Sequence, residues 1–173
     1  MFYEPKKGHP FKVDPYKALV FPRPIGWIST VSKKGIPNLA PYSYFNAIAD
    51  KPPQVMFCSN GESSYGGYKD SLTNILSTKE FVVNFVTSKT KDAMNISSSN
   101  YQPSEDEFIA AKLKKRTSKL VKVPSVNDSP VNLECKLVKT LKLKTNSKKL
   151  STMVIGEVIG IYINSKYIKN SKV

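Results

Sequence analysis

The residues best suited to chemistry lie in a few short stretches. Tyr42-Ser43-Tyr44-Phe45-Asn46 alternates aromatic rings with small polar groups. A flat, largely apolar heteroaromatic ligand edged with carbonyls and ring nitrogens needs such surroundings: rings for its faces, a few fixed polar groups for its edge. Strand periodicity puts Tyr42, Tyr44 and Asn46 on one side and Ser43 and Phe45 on the other. One ligand cannot meet all five side chains, so backbone groups must supply part of the recognition. Lys69-Asp70-Ser71 precedes Leu72, Ile75 and Leu76 at helical spacing. Free amides at a helix start carry partial positive charge; Lys69 adds a full charge and the Ser71 hydroxyl a donor, so a phosphate fits there. Asp70 would repel an anion and is expected to turn away, with Asn74 one turn later bracing the loop. Ser29 and Thr30 end a β-rich run, and Ser59 with Asn60 ends another. Each has a plain structural alternative: a β-face hydroxyl, a helix cap, an aromatic strand. Arg23 reads equally as a phosphate contact, a dimer contact or one half of an ion pair.

Other chemistries are excluded. His9 is the single histidine, and with Cys58 and Cys135 far from it no metal-ligand spacing arises. A Ser-His-Asp triad would rest on His9 alone. No Gly-x-x-x-x-Gly-Lys-Ser/Thr loop and no Gly-x-Gly-x-x-Gly after a strand is present. Enzymatic activity would therefore need a bound organic cofactor, with no metal.

The elements that position these residues can be read from the same 173 residues. Prolines at 5, 10, 15 and 22 keep residues 1–22 irregular. Strands are expected over 25–31, 39–48, 54–59, 80–87, 131–143 and 153–163, with Lys33-Lys34-Gly35 a hairpin turn. Helices are expected over 69–78, 88–98 and 104–113, the last opened by a Ser104–Glu107 capping box. Along 131–137, Val131, Leu133, Cys135 and Leu137 share one face and Asn132, Glu134 and Lys136 the other, a half-buried antiparallel strand. Gly156 and Gly160 mark bulges or barrel bends. Strands that do not alternate with helices favour a mainly β fold, a closed antiparallel barrel with a few short inserted helices, formed as one domain over residues 1–173.

Composition narrows the setting. Hydrophobic residues make up 40% of the chain, enough for a core without metal or disulfide. Cys58 and Cys135 read as buried thiols. No apolar run reaches the roughly 20 residues of a membrane span, and the N-terminus lacks the apolar core of a signal peptide, so a cytoplasmic location is expected. The net charge is +14, yet Arg23 and Arg116 are the only arginines among 27 basic residues. Nucleic-acid readers lean on arginine forks. Scattered lysines, densest over 112–122 and 136–149, read as a solvated face and argue against a nucleic-acid partner.

Five segments carry a resemblance. They are Arg23-Pro24-Ile25-Gly26-Trp27-Ile28-Ser29-Thr30, Asn38-Leu39-Ala40-Pro41-Tyr42-Ser43-Tyr44-Phe45-Asn46, Pro52-Pro53-Gln54-Val55-Met56-Phe57, Lys69-Asp70-Ser71-Leu72-Thr73-Asn74-Ile75 and Glu80-Phe81-Val82-Val83-Asn84. In this order and spacing they resemble the flavin reductase-like FMN-binding split-barrel family, as do Asp106-Glu107-Phe108, Ser129 to Cys135 and Gly156 to Gly160. The resemblance runs from about Arg23 to Ile163. It implies a split β-barrel, a tight homodimer, FMN near the dimer interface and electrons from NADH or NADPH. The candidate cofactor-binding residues are Ser29, Thr30, Tyr42, Ser43, Tyr44, Phe45, Asn46, Ser59, Lys69, Ser71 and Asn74, and for Ser29 and Thr30 the resemblance implies hydrogen bonds to the flavin ring or ribityl chain. Hydride passes directly from nicotinamide to flavin, so no catalytic side chain is assigned, Glu107, Glu134 and Glu157 included. The homodimer is expected to draw apolar contacts from Val131 to Leu137. Members continue beyond the last strand with an Arg-, Gly- and Tyr-rich segment; here the sequence stops at Val173, and Tyr162 stands where a histidine is common. The alternatives are an FMN-carrying electron-transfer protein without a nicotinamide site and, more remotely, a basic nucleic-acid-binding barrel.

Overall fold

The computed structural model describes residues 1–145 and 150–172. Lys148 and Lys149, at the end of the second lysine-dense stretch, lie outside the described residues, as does Val173. The strands are β1 (Gly26–Val31), β2 (Pro37–Tyr42), β3 (Phe45–Asp50), β4 (Pro53–Asn60), β5 (Glu80–Asn84), β6 (Lys115–Arg116), β7 (Ser125–Val126), β8 (Val131–Lys142) and β9 (Ser151–Ile163). The helices are α1 (Tyr16–Leu19), α2 (Asp70–Thr78), α3 (Lys91–Ile96) and α4 (Glu107–Ala110). The mainly β reading with short inserted helices holds.

Seven strands form one antiparallel sheet in the order β2-β1-β5-β8-β9-β4-β3. The β1–β2 hairpin pairs Val31 with Pro37, and Gly35 supplies the left-handed residue of its turn, at φ +81°. The edge strands β2 and β3 are consecutive in the chain, separated only by Ser43 and Tyr44. Seven strands laid flat span about 29 Å at 4.8 Å each, far beyond the reach of two residues. The sheet must therefore curl until its edges meet. Gly26 of β1 marks the seam, where an added Cβ would sit 2.6 Å from the Phe45 ring. No ladder joins β2 to β3 among the described residues, so the expected hydrogen-bonded closure is not observed.

The expected single strand over 39–48 is instead two, because the chain bends at Ser43–Tyr44 and hands its hydrogen bonds to a different neighbour, with Cys58 N–H donating to Tyr44 O. The expected capping box is also replaced. Asp106 caps α4 by accepting from Phe108 N–H, while Glu107 turns inward. On β8 the polar face is solvated only at Lys136 among the three expected positions. Asn132 and Glu134 are buried, Asn132 donating to Asn84 and Glu134 accepting the Lys119 and Leu120 N–H groups. The short β6–β7 excursion and its flanking loop cover this face, which a strand pattern alone cannot foresee. The bulges lie at Glu134/Cys135 and Leu137/Lys139 of β8, opposite the glycines of β9.

The main core fills the curl: Ile28, Phe57, Phe81, Val83, Cys135 and Val154, with Leu72 and Ile75 of α2 packed among them. A second cluster, Trp27, Leu39, Phe108 and Val126, sits on the outer face beneath α3 and α4. Alternation along β1 explains the division, since Trp27 and Ile28 point oppositely. Both cysteines are free and buried. α2 forms because its apolar positions recur at helical spacing, and it ends at Lys79, which adopts φ 65° while its N–H closes on Ile75 O.

Candidate functional site

A cleft of about 380 Å³ opens beside the β2–β3 corner. One wall is Ala40 to Tyr44 with Cys58 and Asn60 from the end of β4; the other is the 62–64 loop, Lys69 to Ser71, and Ser97 to Tyr101 after α3. Gly61, Gly66 and Gly67, all at positive φ, let the chain turn tightly between β4 and α2.

The structure brings five of the sequence-expected residues to this cleft: Tyr42, Ser43, Tyr44, Lys69 and Ser71. Tyr44 is steadied by Arg23, whose guanidinium lies 5.8 Å from the ring centroid and donates to the carbonyls of Lys17 and Val20. Arg23 thus clasps the N-terminal arm to the cleft wall and makes no ion pair among the described residues, and Lys17 of that arm reaches the cleft rim.

The other six take different places. Phe45 packs against Gly26 at the seam. Asn46 is exposed on β3, its Oδ1 accepting the Ala47 N–H. Ser29 Oγ donates to Pro124 O at 2.7 Å and accepts from Asn84, and Thr30 Oγ1 accepts from Asn74 Nδ2 at 3.0 Å. Asn74 therefore braces α2 against β1 rather than the loop. Ser59 Oγ is buried beside the Tyr42 phenol yet makes no hydrogen bond of normal geometry among the described residues. Asp70, expected to turn away, borders the cleft.

Sequence reasoning missed Asn38 and Glu107. The signal available was their presence in two resembling segments, without a contact to give them a task. Glu107 is 6% exposed; its Oε2 accepts the Leu39 N–H at 3.0 Å, and its Oε1 lies 3.1 Å from the Asn38 amide. Burial pushes this carboxyl up to about 7. Burial also lifts the Tyr42 phenol to about 12, against the Ser71 and Ser59 hydroxyls, so Tyr42 stays a neutral donor. Desolvation raises Asp70 above the ordinary carboxylate range as well. The cleft thus has an aromatic wall, neutral hydroxyls, and Lys69 at the head of α2, which makes no cap or ion pair among the described residues.

Residues 18–171 match the family described as flavin reductase like domain. The chain belongs to that family. An uncharacterized protein of Aquifex aeolicus is 46% identical to this flavin reductase-like domain over 121 residues, 70% of this chain and 61% of the relative. Among solved structures, nitrilotriacetate monooxygenase component B from Bacillus cereus superposes with a TM-score of 0.88 at 29% identity, covering 100% of this chain and 86% of that one. The Pseudomonas fluorescens 2-nitrobenzoate 2-nitroreductase superposes with a TM-score of 0.76 at 29% identity, covering 91% and 76%. The domain spans 61% of its Aquifex relative's length and 67% of that of a 33% identical Deinococcus radiodurans protein.

Proposed function

We propose that this domain binds FMN in the cleft and works as a flavin reductase-type oxidoreductase, a cytoplasmic homodimer taking electrons from NADH or NADPH. The observation that carries the reading is the meeting of two chemistries in one cleft: the Tyr42-Ser43-Tyr44 wall and the Lys69–Ser71 helix start. The fit is physical. A cleft of about 380 Å³ falls within the roughly 300–1,000 Å³ of small-molecule sites. Lys69 makes no cap or ion pair among the described residues and can pair with a phosphate. Redox names borne by the two superposed proteins, a monooxygenase component and a nitroreductase, support the same class.

Bound there, FMN would supply the electron-accepting and electron-donating ring. The chain's own work is to hold and orient it. Lys69, Ser71 and the α2 amides would take the phosphate. Tyr42 and Tyr44, with the backbone of the corner, would flank the ring and exclude water. Residues 1–173 are read as one domain with a split barrel at its heart. Ser29, Thr30, Phe45, Asn46, Ser59 and Asn74 would act through the frame, holding the corner, α2 and β1 in place.

The dimer draws support from exposed apolar residues on the sheet, among them Ile48, Val138, Leu141 and Ile161. Leu133, Cys135 and Leu137 face the core instead, so the expected dimer contact over 131–137 moves along β8 toward Val138 and Leu141.

The test is a visible spectrum after FMN reconstitution and desalting, followed by NADH and NADPH oxidation. Retained flavin bands with turnover are expected. A colourless protein would overturn the FMN reading; retained flavin without nicotinamide oxidation would select the electron-carrier alternative.

A further inference from the structure

Glu107 and Asn38 border the cleft, and the flavin reading gives neither a task. Their geometry is specific. Oε2 of Glu107 accepts the Leu39 N–H at 3.0 Å. One end of the Asn38 amide lies 3.1 Å from Glu107 Oε1; the other lies 2.9 Å from Ser71 Oγ and 3.2 Å from Leu39 N. An amide has an acceptor end and a donor end, and a carboxyl group donates only when protonated. The proton on Glu107 therefore sets which way Asn38 turns.

With Glu107 ionised, Oε1 requires a donor, so the Asn38 NH₂ faces it. The Asn38 oxygen then faces Ser71 and accepts its O–H, with Leu39 N–H as a second donor. Ser71 has its hydrogen tied up within the wall. With Glu107 protonated, Oε1–H donates to the Asn38 oxygen, and the Asn38 NH₂ donates to Ser71 Oγ at 2.9 Å. The Ser71 hydrogen is then released toward the cleft, at the start of α2. One proton from solvent on Glu107 thus converts Ser71 from a satisfied donor into one available to an anion.

We propose that Glu107, Asn38 and Ser71 form a proton-linked relay, so that a phosphorylated flavin binding at the start of α2 takes up a proton onto Glu107. This rests on the FMN reading above. The surrounding charges act in the same direction. Asp70 of α2 and Asp106 beside Glu107 disfavour a second negative charge, Lys115 being already engaged with Asp106. Tyr42 of β2 is neutral, and Lys69, Lys17 and Glu62 stand around the cleft. A phosphate near Ser71 adds negative charge on Glu107's side and favours its protonated form. Burial already places the Glu107 carboxyl at about 7, so the relay operates near neutrality. By linkage, protonation and phosphate binding must favour each other equally.

Glu107→Gln mimics the protonated acid: its oxygen accepts from Leu39 N–H and its NH₂ donates to the Asn38 oxygen. The experiment measures FMN and riboflavin affinity as a function of pH for the native protein and E107Q, with calorimetry at about pH 8 in two buffers of different ionisation heat. Between about pH 6.5 and about pH 8 the native protein should lose about an order of magnitude in FMN affinity beyond any change in E107Q, because only the protonated fraction binds well. Near pH 8 the phosphate is already a dianion, so proton uptake must come from the protein. Uptake is expected in the native protein with FMN and none in E107Q; riboflavin should follow one pH curve in both. Superimposable FMN curves, or no uptake by the native protein, would overturn the relay while leaving FMN binding intact. Failure of the native protein to bind either flavin would overturn the flavin reading and the relay with it. Ser71→Ala gives an independent check: it retains Glu107 and the charge effect of the phosphate but must lose most of the FMN-specific pH dependence, and a pH dependence as large as that of the native protein would overturn the relay.

Discussion

At Gly156 there is no room for a single additional carbon. A Cβ there would lie 2.3 Å from Cζ of Phe81, a ring buried in the main core. Gly156→Ala should cost about 1–3 kcal/mol by overpacking, read by denaturant melts, and Phe81→Leu in the same chain should recover part of it. An unchanged midpoint for the single variant would show that the ring moves aside freely. Lys69 presents the opposite case, a side chain whose value lies outside the fold. Lys69→Ala combined with Ser71→Ala should weaken FMN at least roughly tenfold while sparing riboflavin, because charge-assisted hydrogen bonds to phosphate are lost. Equal losses for both flavins would show that the start of α2 holds no phosphate.

Elements here are joined by buried polar groups as much as by apolar packing. Glu107 ties α4 to β2 through the Leu39 N–H, and its ionisation carries a stability consequence. Its folded value, about 7, lies above the ordinary 4.5. Between those values the folded state holds the proton more tightly, so stability falls as pH rises through this window. The contribution is complete below about 4.5 and lost above about 7, roughly 3 kcal/mol at most. Thermal melts should therefore show the native protein losing more stability than E107Q from about pH 5 to about pH 8. Parallel curves would show that Glu107 is solvated in solution. Thr30→Val tests a second joint, leaving the Asn74 amide without its 3.0 Å acceptor between α2 and β1. A loss of about 1–3 kcal/mol is expected.

For the whole molecule, FMN should stabilise by mass action. At a hundredfold excess over its dissociation constant the gain is about 2.7 kcal/mol, which for this length corresponds to a melting shift of roughly 5–10 °C. Riboflavin should shift the melt less, and single-stranded oligonucleotide at physiological salt should produce no comparable shift, since scattered lysines bind by counterion release. A melt that follows oligonucleotide and ignores FMN would promote the nucleic-acid reading. Sedimentation at micromolar concentration with FMN should give a dimer. Replacing exposed Val138 and Leu141 by lysine should shift it toward monomer, while leaving the inward-facing core of β8 untouched.

What the sequence determined by itself was local or ordered along the chain. β-rich runs located β1, β4, β5 and β9, period-two alternation located β8, the Leu72-Ile75-Leu76 spacing located α2, and the ordered segments from Arg23 onward named the family. Backbone propensity and side-chain period act within a few residues, so one chain carries them. Which hydroxyl meets the cleft was decided elsewhere. Ser29, Thr30 and Asn74 stand in resembling segments as Tyr42 and Ser71 do, yet the curl of the sheet commits the first three to hydrogen bonds between elements and brings the last two to the cleft. The bend at Ser43–Tyr44 that divides one expected strand into two edges depends on a change of partner, β1 before the bend and β4 after it. Glu107 lies 68 residues from the Leu39 N–H that anchors it, and its proton matters only because the fold buries it there. Long-range contacts of this kind set desolvation and hydrogen-bond geometry, and those two quantities exist only in the tertiary structure.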